Sequence, residues 1–170
     1  GANITIDYTT ESGTATGGSD YTTSSGTATI LSGNTTTTVS IPTTNDTRFE
    51  SAEAFTVVIS NASYGTITDD TGDVTLNDND AQPTMSINDV TVSESAGTAT
   101  FTITLSNSSD QVITFDWATS NGTATTPGDY SSASGTGVTI AAGSTTRTRT
   151  VTINDDSIDE ANETFTVTIS

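Results

Sequence analysis

Ile4-Thr5-Ile6-Asp7-Tyr8 returns 109 residues later, from position 4 to position 113, as Ile113-Thr114-Phe115-Asp116-Trp117. The next residues keep step: Gly13-Thr14-Ala15-Thr16 lies over Gly122-Thr123-Ala124-Thr125, and Asp20-Tyr21 over Asp129-Tyr130. After one inserted residue near Ala141, Asp46 lies over Asp156, Glu50 over Glu160, Glu53 over Glu163, and Phe55-Thr56-Val57 over Phe165-Thr166-Val167. Solenoid repeats run about 20–50 residues, so a period this long is a whole small domain repeated in tandem. The expected division is 1–80 and 81–170, with Asp80-Ala81-Gln82-Pro83 as a short linker that joins the domains end to end. The first repeat is expected to lack its first two strands, the counterpart of Met85 to Gln111. The second is expected to lack its closing strand, the counterpart of Asn61 to Asp80.

Within each copy the apolar period is two. Ala99, Phe101, Ile103 and Leu105 alternate with Thr98, Thr100, Thr102 and Thr104, and Phe165, Val167 and Ile169 with Thr164, Thr166 and Thr168. Such patterning makes strands with one buried and one solvated face, and β-branched Thr suits the solvated one. Strands are expected near 84–92, 98–105, 112–119, 137–141, 146–153 and 163–169, with the closing strand of the first copy at 72–76. Seven short strands over about 100 residues, with Gly, Asn and Ser turns, describe an immunoglobulin-like β-sandwich. The fold class is therefore all-β, a tandem of such sandwiches. Tyr8 and Trp117 fall on the inward phase as core anchors, and Tyr21 and Tyr130 are expected to pack rather than bind.

Composition removes most chemistry. The 170 residues contain no His and no Cys, which excludes Ser-His-Asp and Cys-His catalysis, thiol redox chemistry and the usual zinc sites. Three Arg and no Lys against 21 Asp plus Glu give a formal charge of -18. That field repels phosphate, so no nucleic acid partner is expected. No apolar run approaches the roughly 18–20 residues of a membrane span, so no direct membrane insertion is expected either. An acidic, Lys-free, Thr-rich chain fits a secreted or cell-surface protein.

The acids are scattered in sequence and gathered by topology. In the second copy Glu94 follows the first strand, Asp129 lies in the loop after Trp117, and Asp155, Asp156, Glu160 and Glu163 precede the last strand. In the first copy the corresponding acids are Asp20, Asp46, Glu50 and Glu53, followed by Asp78 and Asp80 after the closing strand. In a seven-stranded sandwich these connections share one pole. Carboxylates within about 4–6 Å of one another do not all stay ionised without a cation between them. Three Arg are too few, and Arg147 and Arg149 lie on a strand. A hard divalent ion with oxygen ligands and tolerant geometry answers the need, and outside the cell that ion is Ca²⁺.

Val92-Ser93-Glu94, Gly122-Thr123-Ala124 leading to Gly128-Asp129-Tyr130, Ile153-Asn154-Asp155-Asp156 through Glu160 to Glu163-Thr164-Phe165, and Val74-Thr75-Leu76-Asn77-Asp78-Asn79-Asp80 together resemble the Calx-beta repeat. That family consists of calcium-binding sandwiches, found in sodium/calcium exchangers and in long arrays of bacterial surface and secreted proteins. The resemblance implies ligand roles for Glu94, Asp129, Asp155, Asp156, Glu160 and Glu163 in the second copy. In the first it implies them for Asp20, Asp46, Glu50, Glu53, Asp78 and Asp80. Asn45 stands where the second copy has Asp155, and Asn79 interrupts the terminal acidic run, so the first site is expected to be the weaker.

The leading functional expectation is a non-enzymatic, calcium-rigidified repeat in an extended extracellular array involved in adhesion. Its partners would be neighbouring repeats of the same chain, with host-cell or surface ligands engaged through other domains. The alternative is a calcium-sensing regulatory module of a membrane transporter or signalling protein. Glycoside hydrolysis by Glu160 and Glu163 is disfavoured, because the acid cluster offers no aromatic sugar platform.

Overall fold

A computed structural model describes all residues from Gly1 to Ser170. It is all-β: β1 (Ile4–Ser12), β2 (Ser25–Ile30), β3 (Glu53–Ser60), β4 (Thr71–Leu76), β5 (Met85–Ile87), β6 (Thr98–Leu105), β7 (Ile113–Asn121), β8 (Ser134–Ile140), β9 (Thr146–Thr152) and β10 (Phe165–Ile169), with one 3-10 turn at Glu94–Ala96. Every strand pairing is antiparallel. The chain forms two compact units, one of Gly1–Asp46 and Ser51–Asn79, the other of Thr47–Glu50 and Asp80–Ser170.

The second unit is a sandwich of two three-stranded sheets, ordered β10-β7-β8 and β5-β6-β9. The alternation of β6 decides its core: Ala99, Phe101, Ile103 and Leu105 are buried while Thr98, Thr100 and Thr104 face solvent. They meet Phe115 and Trp117 of β7, Ile140 of β8 and Val151 of β9, with Ala124 and Tyr130 plugging one end. A buried aliphatic or aromatic side chain stabilises by about 1.5–3 kcal/mol relative to exposure, so this continuous cluster holds the two sheets together.

Two boundaries differ from the sequence reading, each for a local reason. The strand expected at 84–92 is ordered only over Met85–Ile87, because the Asn88 side chain interrupts the ladder. Its Oδ1 accepts the Thr102 N–H at 2.6 Å, a donor that the next strand residue would otherwise bond through its main chain. The strand expected at 137–141 begins instead at Ser134. A bulge between Phe115 and Trp117 of β7 and their partners lets Ser134-Gly135 join the ladder. Gly137 takes φ 60 there and donates its N–H to Asp116 Oδ1 at 2.7 Å, so this acid latches the bulge. Gly135 lies under the Trp117 indole, where a Cβ would come within 2.6 Å of Nε1. Trp117 itself is buried, as its inward phase requires.

The first unit is a single four-stranded sheet ordered β2-β1-β3-β4. Its buried cluster is Ala15, Tyr21 and Phe55, with Ile41, Val57, Val74 and Leu76 packed against it. Ile4, Ile6 and Tyr8, on the inward phase of β1, are only half-buried because no second sheet of this unit covers them. Asp7, at the position equivalent to Asp116, accepts bonds from Thr27 Oγ1 at 2.6 Å and Asn61 Nδ2 at 3.0 Å, which hold its carboxyl below the ordinary range. With so small a core the first unit should open more readily than the second. Hydrogen exchange is expected to show amides within residues 1–60 less protected than those within 98–119. Equal protection would overturn the inference from core size.

Candidate metal centre

The loop after β1 and the loop after β7 close with the same turn. Thr16 donates its N–H to Asp20 Oδ2 at 2.5 Å, and Thr125 donates to Asp129 Oδ2 at 2.6 Å. The Asp20 and Asp129 amides return to the Thr16 and Thr125 carbonyls, closing the same turn. The next residue, Tyr21 or Tyr130, is almost wholly buried and stacks on Phe55 at 3.9 Å or Phe165 at 4.3 Å. The Asp-Tyr pair therefore works as a unit. The aromatic ring anchors the loop in the core, and the turn aims the preceding carboxylate outward.

A second set of duplicated contacts brings the following acid to the same place. Ala15 donates to the Ala54 carbonyl and Ala124 to the Thr164 carbonyl, both at 2.9 Å. The Ala54 and Thr164 amides donate to Thr14 and Thr123 hydroxyls, both at 2.8 Å. Gly13 and Gly122 allow this approach, since a Cβ at either would run into the Ala54 or Thr164 carbonyl oxygen. The residues just before these carbonyls are Glu53 and Glu163. A close backbone crossing thus delivers a Glu beside the Asp of the loop.

One three-carboxylate group lies wholly within the second unit: Asp129, Glu160 and Glu163, with one oxygen per residue within 4.8 Å of the others. In the first unit Asp20 and Glu53 likewise bring carboxylate oxygens within 4.8 Å of each other. Oxygens bound to one Ca²⁺ at 2.3–2.6 Å stand at most about 5 Å apart, so the spacing fits that ion, and the donors are all hard carboxylate oxygens. Asp20, Glu50 and Glu53 are half-buried, as is Asp129, while Glu160 and Glu163 are exposed.

The remaining sequence candidates stand outside these groups, in different ways. Glu94 is half-buried in the 3-10 turn and repels both Glu160 and Glu163. Asp156 also repels Glu160, but its Oδ1 accepts the Ile158 N–H at 2.7 Å, so it shapes its own loop. Asp155 and Asp46 are exposed on the loops, and Asp78 and Asp80 are half-buried after β4. One contributor was missed by the sequence reading. Arg48 Nε lies 3.8 Å from Glu50 Oε1, which places a positive charge beside that acid. The two-residue spacing Arg48-Phe49-Glu50 was the available signal.

The second group shows its charge in its proton affinities. Crowding that strips water from Glu160 raises its carboxyl above the ordinary value, and Asp129, Asp156, Glu94 and Glu163 push it further in the same direction. Glu163 is raised first by loss of water, then by the charge of Asp129, by a hydrogen bond shared with Asp129, and by Glu94. A carboxyl whose pKa is raised on folding binds more protons folded than unfolded, so its contribution to stability is present below the unfolded value and lost as pH rises through the folded one. In chelator the second unit is therefore expected to melt at a lower temperature at pH 7 than near the ordinary glutamate pKa of about 4.3. A melt that rose over that interval would overturn the reading of mutual repulsion.

The Calx-beta domain family model matches the chain twice, over residues 1–82 and 78–170. The chain belongs to the Calx-beta family. It is a tandem of Calx-beta domains, which is the family and the fold class that the residue motifs implied. Among solved structures it is similar to CBD12 from CALX1.2, at 22% identity and TM-score 0.48, covering 99% of this chain and 68% of that one. It is likewise similar to a structure described as calcium binding domain CBD12 of CALX1.1, at 21% identity and TM-score 0.46, covering 99% and 66%. An apo-form Calx CBD1 domain matches 46% of this chain and 72% of its own, at 26% identity and TM-score 0.40. No curated protein matches the chain. In this Calx-beta tandem, no helix is long and apolar enough to cross a membrane.

Proposed function

We propose that the chain is a calcium-binding structural repeat of a large extracellular or cell-surface protein, one that rigidifies an extended array involved in adhesion. The observation that carries this reading is the duplication, in both repeats, of the turn that aims Asp20 or Asp129 and of the backbone crossing that delivers Glu53 or Glu163 beside it. An acid pair that recurs with the domain recurs along an array. The role asks for no catalysis. Neighbouring repeats of the chain are its direct partners, and host-cell or surface ligands are engaged by other domains.

The chemistry of rigidification is local. The segment from Ile153 to Thr164 carries the chain from β9, in one sheet of the second unit, to β10 in the other. Asp129, on the connection between β7 and β8, faces Glu160 and Glu163 of that segment. Without a cation these carboxylates repel and the crossover is pushed away from the sandwich. Ca²⁺ supplies the opposite charge and tolerates irregular oxygen geometry, so it pins the crossover to the turn held by Tyr130. Asp129, Glu160 and Glu163 would hold the ion, with Glu94 adding attraction from its side.

The affinity separates this reading from that of a sensor. Extracellular structural modules bind calcium at about 10⁻⁴–10⁻³ M, and sensors at about 10⁻⁷–10⁻⁵ M. Calorimetric titration of the chain is expected to give dissociation constants in the first range. A value in the second would replace the structural role with a calcium-sensing regulatory one.

A further inference from the structure

β9 carries two of the chain's three arginines, Arg147 and Arg149, on the face that points into the sandwich. Val151, Arg149 and Arg147 stand opposite the buried Ala99, Phe101 and Ile103 of β6, and opposed residues of an antiparallel pair share a face. A charged side chain on a core face is rare unless it is paired. Arg149 is poorly served there. Its Nε is enclosed and without a hydrogen-bond partner, and Nη1 donates to the carbonyl of the adjacent Thr148 at 3.2 Å.

β8 and β9 are outer strands of the two sheets, and between them the sandwich opens in a cleft of about 480 Å³. Small-molecule sites run about 300–1,000 Å³. Trp117, Ser134, Gly135 and Val138 line the cleft from one sheet, and Thr148 and Arg149 from the other. Arg149 is the one charged residue of the lining. The Trp117 edge that carries Nε1 lies over Gly135, where a Cβ would come within 2.6 Å and cover it. In the first repeat the aromatic and the glycine recur as Tyr8 and Gly26, but Val39 stands in the place of Arg149. The repeat itself therefore asks for no arginine at this position.

We propose that this cleft binds a sugar acid, a single uronate residue of a glycan. The Arg149 guanidinium takes the carboxylate, a ring hydroxyl accepts the Trp117 indole N–H, and the C–H face of the ring lies against Val138. The guanidinium presents parallel N–H donors matched to a carboxylate, and turning toward one gives Nε the acceptor it lacks. The class of ligand follows from charge. A formal charge of -18 repels polyanions, whereas a body of uncharged hydroxyls with one carboxylate brings a single negative charge to the one cation of the cleft. The repeat thus carries a carbohydrate site of its own, beside any held by other domains.

Trp117 is the chain's one tryptophan, so its fluorescence reports the cleft directly. Methyl glucuronide titrated into the full chain, in chelator so that calcium plays no part, is expected to change that emission saturably. Methyl glucoside, which lacks the carboxylate, should bind at least about tenfold more weakly, and Arg149→Gln should weaken the glucuronide by the same factor. Arg149→Lys keeps the charge and most of the stem but not the fork, so it should fall between them and keeps the test open if Arg149→Gln packs badly. Arg147→Gln, outside the lining, should bind within about twofold of the parent chain. No saturable change would overturn the proposal, as would equal affinity for glucoside and glucuronide or an unweakened Arg149→Lys chain. A tetraglutamate peptide that binds more tightly than the glucuronide would assign the cleft to a protein partner and overturn it too.

Discussion

At about a hundredfold excess of calcium over its dissociation constant, the chain is expected to melt at least about 10 °C higher than in chelator. Binding to the folded state alone stabilises by about 2.7 kcal/mol at that excess, and each kcal/mol moves the melting temperature of a domain of this size by about 4–8 °C. The repulsion that lifts the proton affinities of Glu160 and Glu163 is relieved by the ion, and that relief is contained in its dissociation constant. Magnesium at equal concentration should shift the melt far less. It demands near-octahedral geometry at 2.0–2.1 Å and gives up water reluctantly, conditions that an all-carboxylate group on flexible loops meets poorly. Superimposable melts with calcium and with chelator would sink the calcium reading.

Glu163→Gln is expected to weaken calcium binding by the second repeat at least about tenfold, while Asp116→Asn leaves it unchanged. Loss of a supporting residue at a metal site commonly costs 10–100-fold, and Glu163 is placed to be a ligand itself. Both substitutions remove one negative charge. Glu163 belongs to the three-carboxylate group, whereas Asp116 accepts the Gly137 N–H and its Asn replacement keeps that oxygen acceptor. In chelator the sign reverses: Glu163→Gln relieves repulsion and should leave the melt unchanged or raise it. Paired calorimetric titrations and melts check both statements. Equal effects of the two substitutions on affinity would mean that the acids act only through net charge.

Asp156 stands in the acidic loop between Ile153 and Glu163 with Asp155, Glu160 and Glu163. The fold gives part of its carboxylate to the Ile158 amide and leaves Glu160 and Glu163 to face Asp129. A run of acids in a loop does not say which of them turn outward, because that depends on local turns closed by main-chain bonds. Asp116 went the other way. It alternates with the buried Phe115 and Trp117 and is exposed, and a bulge brings the Gly137 amide to it.

The sequence by itself determined the tandem repeat, the two-residue period and hence the strands built on it, and the family. Each of these rests on residue identity at fixed spacing, which is a property of the chain before it folds. Gly-Thr-Ala-Thr and Asp-Tyr were also legible as a recurring motif. Their meaning was not, because the close crossing at Gly122 and the Thr164 carbonyl joins parts of the chain some 40 residues apart. Only the tertiary structure decided which three acids of the second repeat meet and that Asn88 cuts β5 short. Those outcomes depend on which backbone groups compete for the same donors and acceptors, and that competition is settled only when distant strands come into register.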